Sequence, residues 1–322
     1  MVYFSALLHP DGKLEEGLPP ADVARLSAEP GAAGWLDYEA ATADDLHALE
    51  GLFGFHPLAL EDALNQETRP KIEEFETCLF VATRAVNHNP GEAALDLIPL
   101  FAFVGRQVIV TVHPRPVESV ATAMQRLRKH PELLRSGPDR LLHHLLDNIV
   151  DYYFPLAEEL EDRIEALEDR VFTTAEPALL EEIFDARKEV AVLRRGLGPV
   201  REVVANLMSG VPFVDGDLRP FFRDVYDHVL RIVEQLETDR DVLTGLLESY
   251  LSQVSLRMSG TMRQLAVLAT VGIPFTLVTG FFGMNFAVMP WLRAPWGVVA
   301  ALATMVTLSA ALYIFCRMRR WL

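Results

Sequence analysis

Only two cysteines stand in the 322 residues, Cys78 within an apolar run and Cys316 near the C-terminus. They are too few and too far apart for a disulfide framework or a zinc cluster, and they fit a reducing compartment. Acid is missing from one whole region: Leu265 to Leu322 holds no Asp or Glu, and its bases are Arg293, Arg317, Arg319 and Arg320. No Gly-rich phosphate loop, no metal-spaced His and Cys cluster and no nucleophile elbow occurs, which leaves nucleotide-driven and triad chemistry without a seat. His143 and His144 are adjacent rather than four apart, so they point to different faces of a helix. Met1 to Pro10 has no basic region and reaches Pro10-Asp11-Gly12 too early for a signal peptide; it reads as a first strand of a domain left in the cytosol.

What is abundant is negative charge. The chain carries 45 acidic and 29 basic side chains, a formal charge of -16, and all 45 acids lie in the first 264 residues with 25 of the bases. A polyanion would be repelled by that surface, which excludes nucleic acid and makes cations the natural partners. Half of the residues are nevertheless hydrophobic. Leu265–Phe282 is an uncharged run of 18 and Trp296–Cys316 one of 21, lengths that suit two membrane-spanning helices. Arg257 and Arg263 precede the first run and Arg317, Arg319 and Arg320 follow the second, so the positive-inside rule puts both termini in the cytoplasm. Trp291, Trp296 and Trp321 fall where interfacial anchors belong. Two spans cannot enclose a pore alone, so conduction requires a symmetric oligomer.

Residues 1–138 alternate strand-like and helix-like stretches and predict a cytosolic α/β domain. Strands are expected at Val2–Leu8, Gly34–Tyr38, Cys78–Val86, Leu97–Val104 and Gln107–Val112, and helices at Ala43–Phe53, Pro57–Asn65 and Val117–His130. Residues 139–219 read as two long antiparallel acidic helices broken near Thr173–Pro177. Their acids, Glu158 to Asp169 and Glu181 to Glu189, are expected to form a solvated face, with cation accumulation as the second reading. From Pro220 a single helical rod is predicted to reach Phe282, its cytosolic part covering 220–264 and the transmembrane hairpin 265–322. Along it a seven-residue spacing selects Glu248, Ser255, Met262, Ala269, Thr276 and Gly283, with Leu251, Met258, Leu265, Gly272 and Thr279 as companions. A stripe of that period wants parallel partner helices. It passes from acid through an apolar neck to small and hydroxylated residues, the order of a cation path with a dewetting gate, although small residues also serve helix packing.

Between the two spans stands Gly283-Met284-Asn285, followed by Phe286-Ala287-Val288-Met289-Pro290, and the chain ends Arg319-Arg320-Trp321-Leu322. Phe222-Arg223-Asp224-Val225-Tyr226-Asp227-His228 opens the rod, and His56-Pro57-Leu58, Glu61-Asp62 and Arg69-Pro70-Lys71 lie in the first domain. With these motifs the whole chain resembles the CorA family of divalent-cation (magnesium and cobalt) channels. The resemblance implies a funnel-shaped homopentamer with five long helices around the pore. It implies uptake of hydrated Mg²⁺, with Co²⁺ and Ni²⁺ as accessory ions, no catalytic cofactor, and closure by cytosolic Mg²⁺ in an inner membrane. Residue by residue it makes Gly283, Met284 and Asn285 the selectivity loop, Met262 and Leu265 the constriction, Thr276 a polar pore position and Glu248 an acidic ring. Asp224 becomes a regulatory Mg²⁺ ligand between neighbouring subunits. The partner carboxylate of that site falls at Asn89, an amide, with Asp96 as a substitute; Ser259 replaces an Asn ring, and Ala287 and Trp291 stand where relatives often have acids. A ZntB-like zinc transporter of the same architecture is the nearest rival, although the loop after Asn285 lacks the glycines of that branch. A membrane-tethered scaffold leaves the stripe and the Gly-Met-Asn loop unexplained, and an enzyme finds no assembled catalytic set.

Overall fold

The computed structural model describes residues 2–87, 95–172, 176–284 and 294–319. The chain divides into two units, Met1–Arg170 with Pro177–Leu246, and Val171–Glu176 with Leu247–Leu322.

The first unit begins with the strands Val2–Leu8 (β1) and Leu14–Glu16 (β2), the helix Pro20–Ser27 (α1) and the strand Ala33–Glu39 (β3). Ala43–Phe53 (α2) and Pro57–Leu64 (α3) follow, then Lys71–Glu74 (β4), Leu79–Asn87 (β5), Asp96–Val104 (β6), Val108–His113 (β7), Glu118–Lys129 (α4) and Glu132–Arg135 (α5). The seven strands form one sheet in the order β2-β1-β3-β7-β6-β5-β4, with β3 and β7 parallel and every other pair antiparallel. Alternation sorts its two faces. Leu36, Tyr38, Phe80, Phe101, Phe103 and Val110 point to one side and are sealed by Val23, Leu46, Leu49, Ala59 and Leu60 of α1, α2 and α3. The start of α2 is fixed by a reciprocal cap: the Asp45 amide donates to Thr42 Oγ1 and the Thr42 amide donates to Asp45 Oδ2, two donors that a bare helix end leaves unpaired.

The opposite face holds a buried polar group. Trp35 Nε1 donates to Thr111 Oγ1 at 2.9 Å, Thr111 donates to Asp37, and His113 Nε2 lies 3.1 Å from the other Asp37 oxygen. Burial works against a charged His113, but the bond and charge of Asp37 and the Arg115 carbonyl outweigh it, so its pKa lies above the ordinary value.

Pro138–Val171 (α6), Pro177–Ser209 (α7) and Arg219–Phe282 (α8) complete the long helices of the chain. Leu160, Ile164 and Leu167 of α6, Ile183, Ala186, Val190 and Leu193 of α7, and Val229, Ile232, Leu236 and Leu243 of α8 are all buried, the three- and four-residue spacing of packed helices. Gly196 lets α7 close on its neighbours: a Cβ there would come within 2.5 Å of Tyr153 Oη and 2.6 Å of Leu97. The acids of α6 and α7 are in part paired, since Arg163 meets Glu189 at 2.6 Å and Arg170 meets Glu182, which qualifies the expectation of a simple solvated face. In the second unit α8 continues unbroken through Pro274, and Gly297–Met318 (α9) lies against it, with Ser309 Oγ donating to the Val271 carbonyl at 2.9 Å.

The predicted α/β domain, long helices and two C-terminal apolar helices are observed, and each expected strand and helix is found within two residues of its expected ends. Four elements escaped the sequence reading: β2, β4, the helix α1 and the four-residue turn α5. The two strands are three and four residues of mainly charged sequence at the sheet edges, where charge is how an edge avoids pairing with another chain. The helix begins Pro19-Pro20, which reads as a loop until Pro20 is seen at its first position.

Candidate functional site

The second half of α8 has two faces. Val267, Pro274 and Val278 are buried, as are Met305, Ser309 and Cys316 of α9, so this side carries the contact between the two helices. At 100° per residue, Thr276 lies roughly 160° round the helix from both Pro274 and Val278, and Ala269 is placed likewise relative to Val267 and Val271. The stripe Met262, Ala269, Thr276 and Gly283 therefore turns away from α9. Met262 and Leu265 are 62% and 61% exposed, and Glu248, Ser259, Thr276, Gly283 and Met284 are exposed as well. Ala269, Gly272, Ile273, Thr276 and Leu277 line a shallow groove of about 530 Å³ on this helix. Asn285, the third residue of the Gly-Met-Asn loop, lies outside the described residues, as does Asn89.

Two hydroxyls on this helix are satisfied locally. Thr270 donates to the Ala266 carbonyl and Thr279 to that of Phe275, the means by which a polar side chain is tolerated in lipid. Pro274 has no N–H for the Thr270 carbonyl, so that acceptor has no helical donor. Both α8 and α9 are long and apolar enough to cross a membrane.

A second grouping occurs in the first unit, between α6 and the start of α8. One ligand atom from each of Asp147, Asp151 and His228 falls within 4.8 Å of the others. Asp147 and Asp151 are four apart on α6, and Asp224 and His228 are four apart on α8, so each helix presents a pair on one face. Burial, then the charges of Asp147 and Asp224, hold the Asp151 carboxyl above its ordinary pKa. The buried Nδ1 of His228 has no partner, and its ring packs edge-on against Phe154 at 5.6 Å between centroids. Pro155 leaves the Asp151 carbonyl without a helical donor. Two carboxylates and one imidazole, whose Nδ1 is orphaned, fit a divalent cation, with the nitrogen favouring Co²⁺ or Ni²⁺ over Mg²⁺.

Asp224 itself is exposed and acts electrostatically on both His143 and Asp151. Asp96 is held by Arg115. His143 packs edge-on against Phe221 and Phe222. His144 is driven down to about 4 by burial and by His143, Arg126 and Arg140. Sequence reasoning singled out Asp224 but passed over Asp147, Asp151 and His228; the paired four-residue spacings were the available signal.

A profile described as the CorA-like Mg²⁺ transporter protein matches residues 31–320. The chain belongs to the CorA-like Mg²⁺ transporter family. A relative from Thermotoga maritima, the cobalt/magnesium transport protein CorA, is 33% identical over 272 residues, 84% of this chain and 78% of the relative. The complete structure of the CorA magnesium transporter from Methanocaldococcus jannaschii superposes with a TM-score of 0.86 over 100% of this chain and 99% of that one, at 22% identity. The ZntB cytoplasmic domain from Vibrio parahaemolyticus matches 79% of this chain and 99% of its own length with a TM-score of 0.64 and 15% identity. At such identities both structural matches speak for the fold alone. A CorA-like family is one of transporters, not of enzymes.

Proposed function

We propose that the chain conducts hydrated Mg²⁺ into the cell, with Co²⁺ and Ni²⁺ as accessory ions, as a homopentamer whose five α8 helices surround the path. The observation that carries this reading is the stripe on α8. Its apolar and hydroxyl-bearing residues turn away from α9, which among the described residues is the helix of the same unit that packs against α8. In a pentamer Met262 and Leu265 form the dewetting constriction, Thr276 the polar lining above it, and Glu248 and Ser259 rings below. Gly283, Met284 and Asn285 form the outer mouth. Mg²⁺ sheds water reluctantly, so five neutral amide oxygens from Asn285 receive the ion through its hydration shell. Both termini face the cytoplasm of the bacterial inner membrane. The membrane potential then supplies about 4.6 kcal/mol per divalent ion per 100 mV, without ATP.

Regulation is assigned to Asp224 and the neighbouring Asp147, Asp151 and His228. Cytosolic Mg²⁺ bridging Asp224 to the adjacent subunit near Asn89 holds the constriction shut. Purified protein in liposomes, with Mg²⁺, Co²⁺, Ni²⁺ and Zn²⁺ offered separately under an imposed potential or pH gradient, tests the transport reading. Potential-driven Mg²⁺ entry, lost in Asn285→Ala with the pentamer intact, is expected. Zn²⁺ entry driven by the pH gradient, or a monomeric particle, refutes it.

A further inference from the structure

The first unit contains a cleft that the transport reading does not use. About 750 Å³ in volume, it is lined by Gln66, Glu67, Arg69, Pro70, Arg84, Leu97, Arg195, Pro199 and Glu202, a size that suits a small organic ligand. Three guanidinium groups converge here in a chain whose formal charge is -16. Arg69 comes from the turn before β4, Arg84 from β5 and Arg195 from α7. None of the three makes an ion pair among the described residues, although Glu67 and Glu202 share the lining; the one recorded bond is from Arg84 Nη2 to the Thr68 carbonyl at 3.0 Å. Arg84 is half-buried, and that burial disfavours its charge. A guanidinium withdrawn from water with no carboxylate opposite it is costly, and the cost is recovered when an anion enters.

The other features narrow the ligand class. Guanidinium forks match phosphate oxygens two at a time, which a single point charge does not. Pro70, Leu97 and Pro199 give the same cleft an apolar wall for the organic part of the molecule. Gly196, one residue from Arg195, holds α7 close to Leu97, so the arginine stands on a rigid support. Pro199 also leaves the Arg195 carbonyl without a helical donor, an acceptor for a ligand hydroxyl or amine.

We propose that the cleft between the β4–β5–β6 edge of the sheet and α7 is a binding site for a small phosphate-bearing organic anion of nucleotide size, gripped by Arg69, Arg84 and Arg195. Glu67 and Glu202 make a bare polyanion less welcome than one whose charge is partly neutralised by a divalent cation. The site is independent of the transport path, and it stands or falls separately from the proposed function.

Calorimetric titration of the full-length protein in detergent with ADP, ATP, pyrophosphate and citrate, each with and without Mg²⁺, tests the proposal. Saturable binding of ADP or ATP is expected, with a Kd at least tenfold weaker in Arg69→Gln and in Arg195→Gln. Both side chains are exposed, so these variants retain the fold, which the unfolding temperature checks. Arg25→Gln, on α1 outside the cleft, serves as the control and is expected to bind as the parent does. Glu67→Gln is expected to tighten metal-free ATP severalfold. No binding of either nucleotide at millimolar concentration, citrate binding as tightly as ATP, or affinity unchanged in both arginine variants overturns the site.

Discussion

The two halves of α8 are one helix in two chemical situations. In the first half Phe222, Val225, Val229, Ile232, Leu236 and Leu243 are fully covered by the chain's own helices. In the second half Leu251, Met258, Met262, Leu265 and Leu268 are all more than half exposed, although the apolar spacing is as regular. A helix buries its apolar stripe wherever a partner exists, and an uncovered stripe of this length in a water-soluble protein is a liability. The difference teaches that the first half is completed within one chain, whereas the second half is left uncovered by the chain's own described helices; under the proposed function, lipid and other copies of the chain complete it.

Truncation should separate the two halves most sharply. Phe222→Ala, at a fully buried position, is expected to cost about 3–5 kcal/mol, read as a large drop in thermal unfolding temperature. Leu268→Ala, 72% exposed, should change it by less than about 0.5 kcal/mol in detergent. Comparable losses would erase the distinction between a covered and an uncovered half.

Next in size is the carboxyl at Asp239 in the covered half. It is 5% exposed, its Oδ2 has no partner, and burial with the charge of Glu161 pushes its pKa up to about 6. The folded state holds this proton more tightly than the unfolded chain, so this group's contribution to stability is fully present below about pH 4 and is lost as pH rises through about 6. Asp239→Asn should recover up to roughly 3 kcal/mol above pH 6 and flatten that part of the pH profile. An unchanged profile in denaturant titrations between pH 4 and 7 would show that this acid is not strained.

The candidate cation site of Asp147, Asp151 and His228 sharpens the comparison at the start of the covered half. Asp147→Asn or His228→Ala should weaken protection of the fold by Co²⁺ about tenfold or more, roughly 1.4 kcal/mol, and Asp224→Ala should raise uptake when internal Mg²⁺ is high. Metal-dependent unfolding curves and flux at fixed internal Mg²⁺ read the two effects. A metal response identical to the parent's in every variant would separate these residues from regulation. Apart from the exposed control at Leu268, the smallest effect belongs to the contact between α8 and α9: Ser309→Ala removes the bond to the Val271 carbonyl and should cost about 0.6 kcal/mol, measurable by unfolding in mixed micelles. A loss several times larger would mean that α9 holds α8 through that one bond.

Much of this architecture was readable before any coordinates. The uncharged runs Leu265–Phe282 and Trp296–Cys316, the alternating strand-like and helix-like stretches of residues 1–138 and the helical pattern that follows them each specify their local structure. Edge strands β2 and β4 escaped because Glu15, Glu16, Glu73 and Glu74 carry the charge that keeps an edge single, which in sequence reads as a loop. The cation cluster escaped for another reason. Asp147 and His228 are 81 residues apart, and each alone is an ordinary polar position on an amphipathic helix.

The order of residues by itself determined the long helices, the two long apolar runs and the acidic character of the first 264 positions, because period, length and charge are local quantities that survive without a fold. Only the tertiary structure decided which side of α8 meets α9, which acids on α6 and α8 face one another, and that Arg69, Arg84 and Arg195 share a cleft. Those facts depend on packing between distant segments, where one side of a helix is chosen at the expense of the other, and no pattern along the chain contains that choice.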